Sequence, residues 1–528
     1  MENSCSSPPP HIAIFPFMSK GHTIPMLHLA HLLHHRHLIS HITFFTTSGN
    51  APFIRSSLSS VAAQSTSIVS LPFPDNLPPD IPSGVESTDQ LPSIDDLFIP
   101  FANTLAHMRS STTSPTTSHR TYLPSIVSLP FPDNLPPDIP SGVESTDQLP
   151  SIDDLFIPFA NTLAHMRSSF TQAISQLSPA PSLLISDGFL VWTQYVATEL
   201  NIPRLVYYGM GGFAQTVSSI VSQHKPHAKV SCTCEPFAIP GFPHLSLTKS
   251  DLEPPFDDPD LKGPHWDFVV EQVVANSASR GFIMNSFYEL ESPYFDYMDS
   301  KWGINSYQVG PLCLARLDSG KKNQPPSPLL QWLDSRLSVN HPVLYVSFGT
   351  QVKISLIQMK EIAIGLERSR LNFIWIIRGQ GCYWDDGFEE RVGDRCRLVK
   401  EWVDQLEILA HKAVHGFMTH CGWNSVMESM CTGVPVLAWP MMAEQRLNAK
   451  FVVEELGMGL RIRASDGTKN GLVKAEDIEG LMRELLIGEK GMTVKKKAEE
   501  LAVAARQATS EGGSSYIALE KMINCAKH

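Results

Sequence analysis

Short apolar runs alternate with amphipathic stretches along most of the chain. Residues 11–17 and 41–47 are apolar runs of strand length, and Pro25 opens a leucine-rich stretch of helical spacing between them. The same order returns in the second half, where a strand pattern at residues 343–346 precedes a helical pattern at residues 355–368. Strands that alternate with helices in this way predict parallel sheets covered by helices, so the expected fold class is α/β.

A restart of this rhythm divides the chain into two Rossmann-like domains. The best linker candidates are residues 309–312 and the Gly-, Pro- and Ser-rich stretch at 319–328. At 528 residues the chain is also long enough for two cores. We therefore predict two parallel sheets that face each other across a cleft. The expected boundaries are residues 1–310, residues 311–505 and a C-terminal helix, 506–528, that packs back on the first domain.

One segment of the first domain occurs twice. Residues 67–111 and 125–169 are identical, at an offset of 58 residues. A perfect pair differs from a solenoid, whose repeats diverge and recur several times, and it indicates a recent duplication or a gene-model artefact. The helical pattern of the second copy continues from Leu155 to Gln176, whereas the first copy runs into a Ser/Thr/Pro tract. We expect the second helix to dock and residues 72–124 to form an insertion, while either copy can supply the strand.

Composition and charge exclude several classes of function. A net charge of −12 and a pI near 5.9, without a basic stripe, argue against nucleic acid as a partner. The sequence shows neither an apolar run of membrane-spanning length nor a secretory signal. Nine scattered cysteines without metal-ligand spacing suit a reducing compartment. We expect a cytoplasmic monomer that holds no metal.

Two polar residues follow predicted strands of the first domain. His22 lies in the turn after the first strand, where the glycine fingerprint of a dinucleotide-binding turn is missing, which disfavours a nicotinamide-dependent oxidoreductase. Asp187 follows the apolar run at residues 183–186, at the edge where open α/β sheets bind ligands. The local pattern alone favours a second role for Asp187, as the N-cap of the following helix.

The most distinctive stretch is residues 402–445, in which small polar residues interrupt a strand before a helix, as in phosphate-binding turns. It closely resembles the 44-residue sugar-nucleotide box of plant family 1 UDP-glycosyltransferases, inverting enzymes of the GT-B fold. The match includes both ends of the box, residues 420–425 and residues 433–435. Residues 21–22, 185–187, 309–311 and 347–350 also fall where the family has them. Three departures are the Val-Asp after the opening Trp, where Ala-Pro is usual, His415 before Gly416, where Gly-Gly is common, and Glu444, where Asp is more frequent.

The resemblance implies how the second domain would bind a UDP-sugar. Trp402 would stack on uracil beside the backbone of Val403, and Gln405 and Glu428 would hold the ribose hydroxyls. Trp423, Glu444 and Gln445 would line the sugar, and a terminal Gln favours glucose. The diphosphate would be bound without a metal or other cofactor by Ser347, Thr350, His420, Gly422, Asn424 and Ser425.

The resemblance also raises Asp187 to a catalytic candidate. His22 would be the general base and Asp187 would orient its ring, so that a deprotonated acceptor oxygen displaces UDP with inversion. The expected partners are UDP-glucose and a small lipophilic acceptor such as a flavonoid or another phenolic. The alternative is a UDP-sugar-binding protein that the duplicated insertion has impaired. The acceptor pocket is expected to contain Phe15, Met18, Phe189, Trp192, Met210 and Phe213.

Overall fold

Both predicted parallel sheets form. The computed structural model describes residues 9–58, 68–69, 125–132, 135–317, 327–377, 384 and 387–526. The strands of the first half are, in chain order, β1 (His11–Phe15), β2 (His41–Thr47), β3 (Ile68–Val69), β4 (Ser125–Leu129), β5 (Leu183–Asp187), β6 (Arg204–Tyr208), β7 (Phe237–Ile239), β8 (Phe242–Leu247), β9 (Gly281–Met284) and β10 (Ser306–Gln308). Eight of them form a parallel sheet in the order β10-β9-β6-β5-β1-β2-β4-β3, and β7 and β8 form an antiparallel hairpin.

The strands of the second half are β11 (Val343–Ser347), β12 (Asn372–Ile376), β13 (Cys396–Val399), β14 (Val414–Thr419), β15 (Val436–Ala438) and β16 (Gly459–Arg461). They form a six-stranded parallel sheet in the order β13-β12-β11-β14-β15-β16. The four inner strands are fully or largely buried because helices cover both faces, which is why they read as continuous apolar runs.

Helices connect the strands in both halves. Those of the first half are α1 (Lys20–His35), α2 (Ala51–Leu58), α3 (Ile152–Thr162), α4 (Arg167–Ser175), α5 (Trp192–Glu199), α6 (Gly212–His224), α7 (Pro264–Ser277), α8 (Tyr288–Trp302) and α9 (Leu314–Leu317). Those of the second half are α10 (Pro328–Ser338), α11 (Leu356–Arg368), α12 (Phe388–Val392), α13 (Gln405–Leu409), α14 (Trp423–Thr432), α15 (Gln445–Lys450), α16 (Ala475–Ile487), α17 (Glu489–Thr509) and α18 (Ser514–Asn524). In the described ranges, no helix has both the length and the apolar character needed to cross a bilayer.

The second copy of the duplicated segment supplies β4, α3 and the first residues of α4. The first copy contributes β3, and the two copies pair in parallel at equivalent positions, Ile68 with Ile126 and Val69 with Val127. The remainder of the first copy, including the expected insertion at residues 72–124, lies outside the described residues. Because β4 pairs with β2 over five residue positions, the second copy provides the strand that continues the sheet.

The predicted single helix from Leu155 to Gln176 is interrupted. A 3-10 turn at Leu163–Met166 separates α3 from α4. The Thr162 hydroxyl donates to the Pro158 carbonyl at 2.8 Å, the kind of back-bonding to the preceding turn that bends helices. Beyond the duplication, α4 buries three side chains in the hydrophobic cluster that contains Leu155, namely Phe170, Ala173 and Ile174. The helical segment is therefore docked on both sides of the interruption.

The two domains meet at the carboxyl edges of their sheets. The Gln351 side chain, just after β11, donates to Ser19 Oγ at 3.2 Å and to Thr146 Oγ1 at 2.7 Å in the first domain. The predicted linker at residues 319–328 lies mostly outside the described residues. Helix α18 lies on the first domain, where the Ser515 hydroxyl donates to the Gly310 carbonyl and Leu519 joins the hydrophobic cluster of α1. The cleft is thus lined by turns that follow strands of both sheets.

Removal of one repeat unit should leave the fold intact. Because the copies are identical, excision of residues 67–124 or of residues 109–166 leaves the same chain, 528 − 58 = 470 residues. The connection between Leu58 and Ser125 then shortens from 66 to 8 residues, which lowers the entropy cost of loop closure by about 2 kcal/mol. We expect the free energy of unfolding, measured by urea denaturation, to rise by about this amount. A fall in stability would show that the excised residues contribute to the native core.

Candidate active site

His22 and Asp187 form a hydrogen-bonded pair at the edge of the first sheet. Asp187 ends β5, and His22 lies in the first turn of α1, which follows the neighbouring strand β1. His22 Nδ1 is 2.6 Å from Asp187 Oδ2, and the Phe189 N–H donates to Asp187 Oδ1 at 3.0 Å. With Nδ1 held by the carboxylate, Nε2 is the ring atom that can take up a proton. Helix α5 has Val191 as its N-cap, so the N-cap role favoured for Asp187 by the local pattern is wrong.

The protonation of His22 reflects opposing influences from both domains. Burial lowers the pKa of its imidazole, but the charge of Asp187 and the hydrogen bond to it raise the pKa, and the charges of Glu444 and Asp147 add to this effect. The net pKa lies above the ordinary value of 6.5. Glu444 belongs to the second domain and Asp147 to the second copy of the duplicated segment, so the field at the imidazole depends on the assembled cleft.

Two phenylalanine rings contact His22, and two more pack against Phe189. The imidazole centroid lies 5.5 Å from that of Phe17 and 5.1 Å from that of Phe189. Phe156 and Phe268 contact Phe189 at centroid distances of 5.5 and 5.8 Å. We call Phe17, Phe156, Phe189 and Phe268 the aromatic cluster. The sequence prediction included only Phe189, although the expected docking of the second-copy helix was a signal for Phe156; no sequence signal pointed to Phe268.

The other residues predicted for the acceptor pocket are mostly buried. Phe15 is 0% exposed and packs against Phe170 and Trp192, with Trp192 itself 5% exposed. Phe213 is 1% exposed and stacks on Phe451 of the second domain, and Met18 is 3% exposed. Of the six predicted residues, Phe189 and Met210 are partly exposed. The other four side chains pack beneath the cleft, and their contact with an acceptor stays a prediction.

His420 lies between two glycines at the start of α14. A Cβ atom on Gly349 would be 2.8 Å from His420 Nε2, and one on Gly422 would be 2.6 Å from the same atom. Burial lowers the pKa of His420 to about 4, so its imidazole is neutral at pH 7. Its buried Nδ1 has no hydrogen-bond partner among the described residues. A buried polar atom without a partner is costly, and in the tautomer that carries its proton on Nδ1 an anionic ligand here would supply the partner.

The two turns around His420 come from neighbouring strands. Ser347 is buried at the end of β11, and the Thr350 hydroxyl donates to the Asp147 carboxylate across the cleft. Gly422 is the N-cap of α14, whose first-turn N–H groups and positive dipole end point toward the same space. The geometry therefore places an imidazole and a helix N-terminus together, as an anion site requires.

Gln405, Ser425 and Glu428 form one hydrogen-bonded group. Gln405 Nε2 donates to Ser425 Oγ at 2.9 Å and to Glu428 Oε2 at 2.7 Å. Burial raises the pKa of Glu428 to about 7, although the bond from Gln405 acts in the opposite direction. Ligand hydroxyls that donate to this carboxylate would favour its charged form. The sequence prediction placed Ser425 at the diphosphate, whereas the structure joins it to the two residues predicted for the ribose.

Trp402 is accessible at the far end of the cleft. Its side chain is 49% exposed, and Val403 beside it is partly exposed. The Lys20 ammonium lies 4.4 Å from the indole centroid and the Phe53 ring lies 6.4 Å from it, so residues of the first domain contact this ring. Neither contact was predicted from the sequence, because Lys20 and Phe53 are far from Trp402 along the chain.

Glu444 and Gln445 lie at the opposite end, near His22. Burial raises the pKa of Glu444, whose Oε1 accepts a hydrogen bond from Asn448 at 3.3 Å. Gln445 Oε1 accepts the N–H groups of Met441 and Met442 at 3.0 and 3.1 Å. The backbone therefore fixes the orientation of the Gln445 amide.

Trp423 and Asn424 contact the first domain. The Trp423 indole is 2% exposed and its Nε1–H donates to the Asn285 carbonyl at 2.9 Å. A Cβ on Gly211 would be 2.8 Å from the same ring. Asn424 donates from Nδ2 to the Gly21 carbonyl. Because the indole is enclosed, contact between Trp423 and a sugar through its ring stays a prediction.

The glycine beside His420 offers a sharp test of the anion site. Gly349 has a φ of +77° and Gly467 has a φ of +73°, but a Cβ on Gly467 would meet nothing within 4 Å. Both alanine substitutions therefore strain the backbone by about 1–2 kcal/mol, and only Gly349→Ala displaces His420. We expect Gly349→Ala to weaken UDP binding at least about 10-fold by calorimetry, since a donor to a charged group is lost. Equal UDP affinities in Gly349→Ala and Gly467→Ala would show that His420 does not contribute to UDP binding.

Comparisons with known proteins identify the family and the fold of the chain. Residues 311–495 match the family described as UDP-glucoronosyl and UDP-glucosyl transferase. UDP-glycosyltransferase 90A1 of Arabidopsis thaliana is 38% identical over 97% of this chain and 95% of its own length. Scopoletin glucosyltransferase of Nicotiana tabacum is 34% identical over 73% of this chain and 82% of its own. The structure of Phytolacca americana UGT2 complexed with UDP-2fluoro-glucose and pterostilbene is 27% identical, with a TM-score of 0.71, over 98% of this chain and 100% of that one. The chain belongs to the plant family 1 UDP-glycosyltransferases and has the GT-B fold.

Proposed function

We propose that this chain transfers glucose from UDP-glucose to a hydroxyl of a small aromatic acceptor and forms a β-glucoside. One observation carries the proposal: the His22–Asp187 pair, 2.6 Å apart, is bordered by the aromatic cluster and lies within the field of Glu444 from the other domain. The relative that acts on scopoletin and the structure with pterostilbene and a fluorinated UDP-glucose support a small aromatic acceptor and a glucose donor.

The acceptor hydroxyl would lose its proton to His22. The carboxylates of Asp187, Glu444 and Asp147 raise the pKa of the His22 imidazole above its ordinary value, which makes the neutral ring a stronger base toward the acceptor hydroxyl. Asp187 fixes the tautomer by holding Nδ1, and it stabilises the imidazolium as that forms. The partly exposed rings of Phe156 and Phe189 would hold an aromatic acceptor beside Nε2 by stacking and exclusion of water. The acceptor oxygen then attacks the anomeric carbon from the face opposite to UDP, which inverts the configuration.

Departure of UDP requires stabilisation of the diphosphate charge. The neutral His420 can donate a hydrogen bond, and the N-terminus of α14 adds N–H groups and its dipole. These groups support our proposal that the leaving group departs without a metal. Donors that are already oriented in a desolvated site cost little reorganisation during the reaction.

Recognition of glucose would fall to Glu444 and Gln445. Since Gln445 Oε1 is held by two backbone N–H groups, its amide nitrogen is the group left to bind a sugar hydroxyl. The Glu444 carboxylate would accept from a second hydroxyl, and its longer side chain replaces the Asp usual at this position. Trp402 at 49% exposure would offer a face to the uracil ring at the other end.

The duplicated segment does not disrupt this site, so an impaired sugar-nucleotide-binding protein is not favoured. The second copy supplies Phe156 to the aromatic cluster and Asp147 to the cleft. Both residues lie in elements that are docked with the insertion still present in the chain. The family assignment likewise removes the nicotinamide-dependent oxidoreductase hypothesis.

The proposal is tested by UDP release from UDP-glucose against a panel of phenols. We expect acceptor-dependent UDP release and a product whose anomeric proton shows the large coupling of a β-glucoside by NMR. UDP binding by calorimetry without release, for every acceptor, would favour the impaired binding protein. Release with UDP-galactose but not with UDP-glucose would overturn the donor assignment alone.

The His22–Asp187 pair makes a further prediction about pH. The neutral imidazole is the active form, so the acid limb of kcat/KM should lie above pH 6.5 in the native chain. Asp187→Asn removes the charge that raises the His22 pKa, so this limb should move to lower pH while the rate falls about 10²- to 10⁴-fold. Asp296→Asn, at an exposed carboxylate that accepts from Tyr288, is the matched control and should leave the profile unchanged. An unshifted limb in Asp187→Asn would exclude His22 as the titrating base.

A further inference from the structure

Asn285 links the interdomain connection to the donor site through three hydrogen bonds. It follows β9 and is 3% exposed. Its Oδ1 accepts the Leu312 N–H at 2.9 Å, and its Nδ2 donates to Asn424 Oδ1 at 3.2 Å. Its backbone carbonyl accepts the Trp423 indole N–H at 2.9 Å. Asn285 therefore contacts two consecutive residues of α14 as well as the chain that connects the domains.

The direction of this network is set at both ends by backbone groups. The Leu312 N–H can only donate, so the Asn285 amide must turn its oxygen to Leu312 and its nitrogen to Asn424. The Gly21 carbonyl can only accept, so Asn424 must turn its nitrogen to Gly21 and its oxygen to Asn285. Each amide is thus oriented by the other and by one fixed partner.

We propose that Asn285 is a positioning residue for donor binding: it holds the Asn424 amide with its NH₂ group facing the His22 turn and the diphosphate site. This inference rests on the proposed function for the role of Asn424. An NH₂ group carries two hydrogens, and Gly21 uses one of them. The second can point to a phosphate oxygen beside the N-terminus of α14, where Asn424 is partly exposed.

The opposite amide orientation would be unfavourable in two ways. Asn424 Oδ1 would face the Gly21 carbonyl, which places two acceptors together. The same oxygen would also face an anionic diphosphate. Without the bond from Asn285, the bond to Gly21 is the remaining hydrogen bond of the Asn424 amide among the described residues that opposes this rotation. Loss of Asn285 should therefore weaken the donor complex through Asn424, even though Asn285 itself is buried behind it.

A double-mutant cycle tests this coupling. We expect Asn285→Ala and Asn424→Ala each to weaken UDP binding about 10-fold by calorimetry, and to lower kcat/KM by a similar factor. The double variant should be within about 2-fold of Asn424→Ala, because Asn285 acts through Asn424. Asn372→Ala is the matched control, because Asn372 is a buried asparagine at the start of β12 that donates to the Pro342 carbonyl and does not contact Asn285 or Asn424. This substitution should leave UDP affinity unchanged, both in the native chain and in the Asn424→Ala variant.

Asn285→Asp separates orientation from packing. Its carboxylate has the same size and still accepts the Leu312 N–H, but it cannot donate to Asn424. We expect Asn285→Asp to lower UDP affinity at least as much as Asn285→Ala does. When Asn424 is already alanine, the further change Asn285→Asp should have little effect on UDP affinity.

Three results would overturn the inference. If the losses of UDP affinity in Asn285→Ala and Asn424→Ala multiply in the double variant, Asn285 acts through general stability. Native affinity in Asn285→Asp would show that its donated bond is dispensable, and native affinity in Asn424→Ala would remove the group being oriented. UDP binding is measured without turnover, so the cycle remains decisive if the chain binds UDP but transfers no glucose.

Discussion

The site depends on contact between polar turns at the carboxyl edges of two parallel sheets. In such sheets all strands end at one edge, so the chemistry-bearing turns of each domain collect there. Asn424 bonds to the Gly21 carbonyl, and Gln351 bonds to Ser19 and Thr146. These bonds hold the His22 turn against the second domain. Neither domain contains a complete site without the other.

This constraint explains the charges around the imidazole. Burial in the cleft disfavours a charged His22, and Asp187, Glu444 and Asp147 offset that cost from three different parts of the chain. Burial also acts on His420, and because none of the described carboxylates offsets it there, the pKa of His420 is lowered to about 4. Two histidines on facing turns thus have opposite protonation behaviour. The first suits proton transfer, and the second suits donation of a hydrogen bond by a neutral ring.

The duplication is accommodated because it falls near the edge of the first sheet. The second copy takes the position beside β2, and two residues of the first copy extend the sheet outward as β3. A parallel edge strand can accept a further strand without displacing the strands that carry His22 and Asp187. The same second copy then contributes Asp147 and Phe156 to the cleft. The repeat therefore matters to the site through one of its copies.

The sequence by itself determined the fold class, the family and the pairing of His22 with Asp187 as candidates. Apolar runs and helical spacing report local structure, and the 402–445 box is a contiguous motif whose residues remain close in space. Tertiary structure alone decided which side chains reach the cleft. Phe15, Trp192 and Phe213 carry the same apolar signal as Phe189, yet packing buries them, while the partly exposed Phe156 arrives from a distant helix. The bond between Asn285 and Asn424 spans 139 residues, and no local pattern encodes a contact of that range.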